Sequence, residues 1–142
     1  MSQNEDIISE IGRVYEWLDQ TLASHEAQAG HCFACGKCCD FDAYGHRLYV
    51  TRAEMLYFAE KIGSENLKPM PSGQCPYRVN DHCSVHEHRF AGCRTFCCRG
   101  DADFQNQLTE QALDKIKALS DSLDIPYEYM DLRQALNRSM NL

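Results

Sequence analysis

The sequence predicts a mainly α protein, a small helical domain around an irregular, cysteine-rich centre suited to binding metal. Three observations lead there. Apolar residues recur at helical spacing near both ends of the 142-residue chain. Prolines and glycines break up its middle. All nine cysteines lie between Cys32 and Cys98, with none on either flank.

Residues 1–142 read as one domain in three parts: an N-terminal helix (1–30), a cysteine-cluster region (31–100) and C-terminal helices (101–142). Ile7, Ile8, Ile11, Val14, Tyr15, Leu18 and Leu22 form one stripe, which predicts an amphipathic helix over about 5–27, ended by Gly30. Core packing is the default use of such a stripe. Residues 31–50 read as a cysteine-rich loop followed by a short strand at Arg47-Leu48-Tyr49-Val50.

Thr51-Arg52-Ala53-Glu54 has the form of a capping box, so a short helix follows through Met55, Leu56, Phe58 and Ala59, with Gly63 as its C-cap. Residues 64–76 contain Pro69, Pro71, Gly73 and Pro76 and read as loop. Phe104, Leu108, Leu113, Ile116, Leu119 and Leu123 mark a longer helix. Asp124-Ile125-Pro126 interrupts it, and a last helix is expected over about 127–139 on Tyr127, Met130, Leu132 and Leu136.

Charge follows the same division. Residues 1–30 carry a net −5, residues 31–100 a net +2 and residues 101–142 a net −4, within a total of −7. An acidic protein is a poor non-specific partner for nucleic acid, whose phosphates need a basic surface. The basic middle suits thiolates instead: Lys37, Arg78, Arg89, Arg94 and Arg99 lie close in sequence to cysteines whose negative charge they can offset. No run reaches about 18 apolar residues, so no membrane partner is expected. The opening Met1-Ser2-Gln3-Asn4-Glu5-Asp6 lacks the basic and apolar stretches of an export signal, so the expected location is the cytoplasm.

In that reducing compartment clustered cysteines bind metal or do redox chemistry more often than they form disulfides, and an odd count fits a paired framework poorly. The first group is Cys32-Phe33-Ala34-Cys35-Gly36-Lys37-Cys38-Cys39. A two-residue spacing lets a tight turn present both sulfurs to one metal while backbone N–H groups face them. Three thiolates at this repeat form the binding loop of bacterial 4Fe–4S ferredoxins, in which a further cysteine precedes a proline, as Cys75 precedes Pro76 here. Zinc ribbons use the same cysteine pairs, so both iron–sulfur and zinc stay open, with the 4Fe–4S cluster favoured.

The second group is Cys75, Cys83, Cys93, Cys97 and Cys98. Two four-ligand sites are arithmetically available: Cys32, Cys35, Cys38 and Cys75 for one, and Cys39, Cys83, Cys93 and Cys98 for the other. One cluster plus one zinc satisfies the count equally well. His31, His82, His86 and His88 crowd these groups, but thiolates are numerous enough that the histidines read as neighbours rather than ligands. Asp40, Asp42 and Asp81 read as turn residues. No phosphate-binding glycine loop, Ser–His–Asp order or HExxH pattern is present, and no catalytic residue is assigned.

Taken in order, Cys32-x2-Cys35-Gly36-x-Cys38-Cys39, Cys75-Pro76-Tyr77, Cys83-Ser84-Val85-x3-Arg89 and Gly92-Cys93-Arg94-Thr95-Phe96-x-Cys98 resemble the YkgJ-like cysteine-cluster family. The resemblance covers about residues 31–100. It implies a zinc- or iron-chelating domain whose eight cysteines fall on Cys32, Cys35, Cys38, Cys39, Cys75, Cys83, Cys93 and Cys98. Cys97 stands where that family tends to carry an aromatic residue, so it reads as an extra thiol. Phe90 replaces a usual proline and His86 a common tyrosine, without touching the implied ligands.

Three functions follow as expectations. The first is an iron–sulfur protein that carries electrons or senses oxidation, with a protein redox partner. The second is a structural zinc module that displays its acidic helices to a partner, the metal supplying folding energy to the irregular centre. The third is a thiol- or metal-dependent enzyme using Cys97 or a histidine beside an open coordination position.

Overall fold

The structure is a computed structural model that describes residues 3–25, 27, 49–71, 75–79, 82–95 and 101–140. In chain order its elements are α1 (Gln3–Ser24), β1 (Tyr49–Thr51), α2 (Arg52–Ile62), β2 (Arg78–Val79), β3 (His82–Cys83), α3 (Ala91–Thr95), α4 (Ala102–Ser122), β4 (Tyr129–Asp131) and α5 (Leu132–Met140). Short 3-10 turns occupy Ser64–Asn66 and His86–His88. The protein is mainly helical, as the apolar periodicity requires.

The expected stripe on α1 is the wall of a first apolar cluster. Ile7, Ile11 and Leu18 are fully buried there, against Ala53 and Tyr57 of α2 and Leu108, Ala112 and Ile116 of α4. A second cluster joins Phe58 of α2 to Val50, Met70, Tyr77, Phe90, Leu132 and Leu136. Helix α2 therefore stands between two cores, with Tyr57 facing one and Phe58 the other. The same division falls between Phe90 and Ala91, at the start of α3. Among the described residues, the buried members of the first cluster are all apolar side chains of α1, α2, α3, α4 and Ile125.

The two caps of α2 form where the sequence places them, while Gly30, the expected end of α1, lies outside the described residues. The Thr51 hydroxyl accepts from the Glu54 backbone N–H at 3.2 Å, and Glu54 Oε1 accepts from the Thr51 N–H at 3.2 Å, which completes the capping box of α2. Gly63 ends that helix at φ 87°, in the left-handed region, and a Cβ there would lie 2.7 Å from Glu65 Oε1. Asp101 caps α4, its side chain accepting from the N–H groups of Asp103 and Phe104. After α4, Asp124 turns the chain at φ 56°, and the Ile125 N–H closes on the Ser120 carbonyl at 2.9 Å.

One element differs from expectation. The last helix begins at Leu132 rather than near residue 127, because Tyr129–Asp131 pairs antiparallel with β1 in the register Tyr49↔Asp131, Val50↔Met130 and Thr51↔Tyr129. Asp131 then caps α5 by accepting from the Arg133 N–H at 2.8 Å. Helical spacing through Tyr127 and Met130 was outweighed by strand pairing and by this cap. A second ribbon joins β2 to β3, with Arg78 opposite Cys83 and Val79 opposite His82. Among the described residues, no helix is long and apolar enough to cross a membrane.

Candidate metal centre

Of the eight expected ligands, Cys32, Cys35, Cys38, Cys39 and Cys98 lie outside the described residues, and of Cys83 only the backbone is described. Cys97, His31, Lys37, Arg99, Asp40, Asp42 and Asp81 also lie outside them, as do the side chains of His82 and His86. Among the described residues, no three His, Cys, Asp or Glu side chains gather into a metal site. The structure thus describes Cys75 and Cys93 of the second cysteine group, the backbone of Cys83 and the frame that carries them.

Cys75 opens a turn in which its carbonyl accepts from the Arg78 N–H at 3.1 Å. That turn leads directly into β2, whose Arg78 faces Cys83 across the ribbon. Ser84 closes the hairpin on the Tyr77 carbonyl, through its N–H at 2.8 Å and its hydroxyl at 2.6 Å. One small hairpin therefore carries both Cys75 and the backbone of Cys83, although the two are eight positions apart in sequence. Cys93 arrives separately, on α3.

Cys75 and Cys93 are both half-buried and both pack against the second apolar cluster. Its wall is aromatic. Phe58 meets Tyr77 edge-on at 5.1 Å and Phe90 at 4.7 Å between ring centroids. The Tyr77 hydroxyl accepts from the Lys68 N–H at 2.9 Å and donates to the Asn66 carbonyl at 3.2 Å. Burial, above all, pushes the Tyr77 phenol up, and the Cys75 thiolate adds to the rise against the Lys68 hydrogen bond. An apolar wall of this kind limits water at a metal and tunes its charge state.

The Arg94 guanidinium reaches α1: Nη1 meets Asp19 Oδ2 at 2.7 Å, and the group lies 4.2 Å from the centre of the Tyr15 ring. Its Nε donates to the Arg89 carbonyl at 2.7 Å and Nη2 to the Glu87 carbonyl at 2.9 Å. Arg89 stays by the cysteine group, donating from Nη1 to the Cys93 carbonyl at 3.2 Å.

Sequence reasoning assigned Glu54 only a helix cap. In the structure it is a fully buried carboxylate between the two cores. Oε2 accepts from the Tyr15 hydroxyl at 2.8 Å and from the Ala91 backbone N–H at 2.7 Å. Oε1 accepts from the Thr51 N–H and, at 3.1 Å, from the Thr51 hydroxyl. Burial raises the Glu54 carboxyl above the ordinary 4.5, against the pull of those hydrogen bonds. Tyr15 is pushed well up, first by burial and then by the Glu54 charge. Its cap spacing was legible, but nothing local in the sequence announced the contacts to Tyr15 and Ala91.

No family model matches this chain, and neither does any curated protein or solved structure.

Proposed function

We propose that this chain is a cysteine-cluster metal-binding protein whose thiolates hold a 4Fe–4S cluster in an electron-transfer or redox-sensing role. The observation that carries the reading is the Cys32-x2-Cys35-x2-Cys38-Cys39 repeat with Cys75-Pro76 downstream. The setting of the second group supports it. A half-buried Cys75 and a half-buried Cys93 on an aromatic wall provide the low-dielectric surroundings that set a cluster's potential. Cys32, Cys35, Cys38, Cys39, Cys75, Cys83, Cys93 and Cys98 are the proposed ligands, and a cytoplasmic protein redox partner is the proposed recipient of electrons. A bound cluster would supply one-electron chemistry, while the chain supplies thiolates, burial and nearby cations such as Arg89.

A second reading, a structural zinc site, draws on the hairpin. Cys83 sits on a tight two-stranded ribbon beside the Cys75 turn, the kind of element that presents thiolates to zinc. Iron, zinc and acid-labile sulfide, measured on protein purified without oxygen, decide between the two. About four iron and four sulfide per chain with broad visible absorption support the cluster. A colourless protein with about one or two zinc per chain supports the staple, and a chain holding neither metal overturns both.

A further inference from the structure

Helix α3 has five residues, far fewer than the ~12 at which a helix begins to hold itself together in water. Its position must come from outside. Three of its residues, Ala91, Arg94 and Thr95, share one face by the spacing of three and four that stacks side chains along a helix. All three are buried, and each is tied to a different helix of the frame. The Ala91 N–H goes to Glu54 of α2 and the Arg94 guanidinium to Asp19 of α1. The Thr95 hydroxyl meets the Thr109 hydroxyl of α4 at 2.6 Å. Cys93, two positions after Ala91, lies on the other side of this short helix, against the Phe58–Phe90 wall.

We propose that Glu54 is a positioning residue for the cysteine centre: by holding the Ala91 N–H at 2.7 Å it fixes the start of α3 and so presets the place of Cys93 before metal arrives. The inference rests on the metal reading above. Glu54 suits the task because it is fully buried and anchored on its other side by Thr51 and Tyr15. Its Oε2 therefore has a fixed place from which to take the Ala91 N–H. Groups that orient a metal ligand without touching the metal typically change affinity 10- to 100-fold, about the size of effect expected here.

The test uses the full chain, reduced and metal-free, in two measurements. The first is the rate at which iodoacetamide alkylates Cys93, read by peptide mass spectrometry with Cys75 as internal reference. The second is a titration with Co2+, read by its thiolate charge-transfer absorption. Glu54→Met keeps the length but removes both acceptor oxygens, whereas Glu54→Gln keeps one acceptor oxygen for the Ala91 N–H and turns the one beside Thr51 into an NH2 group. In Glu54→Met, Cys93 alkylation should rise about tenfold over Cys75, and Co2+ affinity should fall about tenfold or more. Glu54→Gln should stay close to wild type in both.

An unchanged Cys93 rate in folded Glu54→Met overturns the positioning role, whatever the cobalt titration gives. Absence of a thiolate–cobalt band in the wild type overturns the metal reading and, with it, the metal role of Glu54. Should Glu54→Met fail to fold, Glu54→Asp shortens the side chain by one methylene and draws the carboxylate back from the Ala91 N–H. A smaller rise in Cys93 alkylation is then expected, and an unchanged rate overturns the proposal.

Discussion

Tyr15 donates its phenolic hydrogen to Glu54 Oε2 at 2.8 Å, joining α1 to α2 across 39 positions of chain. Both side chains are buried, so neither can exchange its partner for water. Tyr15→Phe removes the donor with almost no change in shape and leaves Oε2 with the Ala91 N–H alone. A hydrogen bond to a buried carboxylate is worth about 1.5–3 kcal/mol, so the variant should lose roughly that much stability in urea unfolding. The Tyr15 ring would still carry Arg94, which confines the loss to the hydroxyl.

Glu54 should also give stability a particular dependence on pH. Its carboxyl is raised above 4.5 when folded, chiefly by burial, so the folded chain binds its proton more tightly than the unfolded chain does. The stabilisation from that proton is fully present below pH 4.5 and is lost as pH rises through the raised value. Glu54→Gln cannot ionise and should lack this contribution. The unfolding free energy of wild type minus that of Glu54→Gln should therefore fall as pH rises through the window. Urea titrations of both proteins at matched pH test this, since the other titrating groups cancel in the difference. A flat difference would show that the carboxyl titrates alike in the folded and unfolded chain.

Thr51 is the other half of the capping box, and it is as buried as Glu54. Thr51→Ala removes both the acceptor for the Glu54 N–H and the hydroxyl donor to Oε1. A lost cap costs about 1 kcal/mol, and up to about 2 where the surroundings cannot compensate. Thr51→Ser keeps the oxygen and should recover most of the loss. Thermal unfolding of the two variants side by side provides the comparison.

These residues mark how far the sequence could be read. Periods of three and four around Ile7–Leu18 and Leu108–Ile116 gave α1 and α4, because each stripe must be buried and the frame buries it. Thr51, Glu54 and Gly63 gave the ends of α2, because caps act over three or four residues. Tyr129–Asp131 became a strand for a reason no local pattern holds: its partner, Tyr49–Thr51, lies about eighty positions earlier. The ties of Ala91, Arg94 and Thr95 to three helices are equally non-local. Cysteine spacing raises the expectation of a thiolate site, since short turns set which sulfurs can share a metal, but it says nothing of the aromatic wall beneath Cys75 and Cys93.

Asp124 is the one described residue other than glycine with positive φ, at 56°. A side chain in this region costs about 1–2 kcal/mol, less for Asp and Asn than for others. The turn is fixed on both sides, by the Leu123 N–H on the Leu119 carbonyl and the Ile125 N–H on the Ser120 carbonyl. Asp124→Gly should therefore be close to neutral, relief of strain offsetting the added freedom of the unfolded chain. Asp124→Val, branched at Cβ, should cost about 1–2 kcal/mol in urea unfolding.

Metal removal should separate the two cores. Among the described residues, the first cluster takes its buried members from α1, α2, α3, α4 and Ile125, and none of these is a cysteine. The second has Cys75 and Cys93 packed against it, so a metal held by those thiols braces Tyr77 and Phe90 but not Ile11 or Ile116. Chelation under reducing conditions should leave most of the far-UV helical signal in place. Amide hydrogen exchange should speed up around Tyr77, Ser84 and Cys93 and stay slow along α1 and α4. Loss of the helical signal on chelation would mean instead that the frame itself folds on the metal, as small zinc domains do.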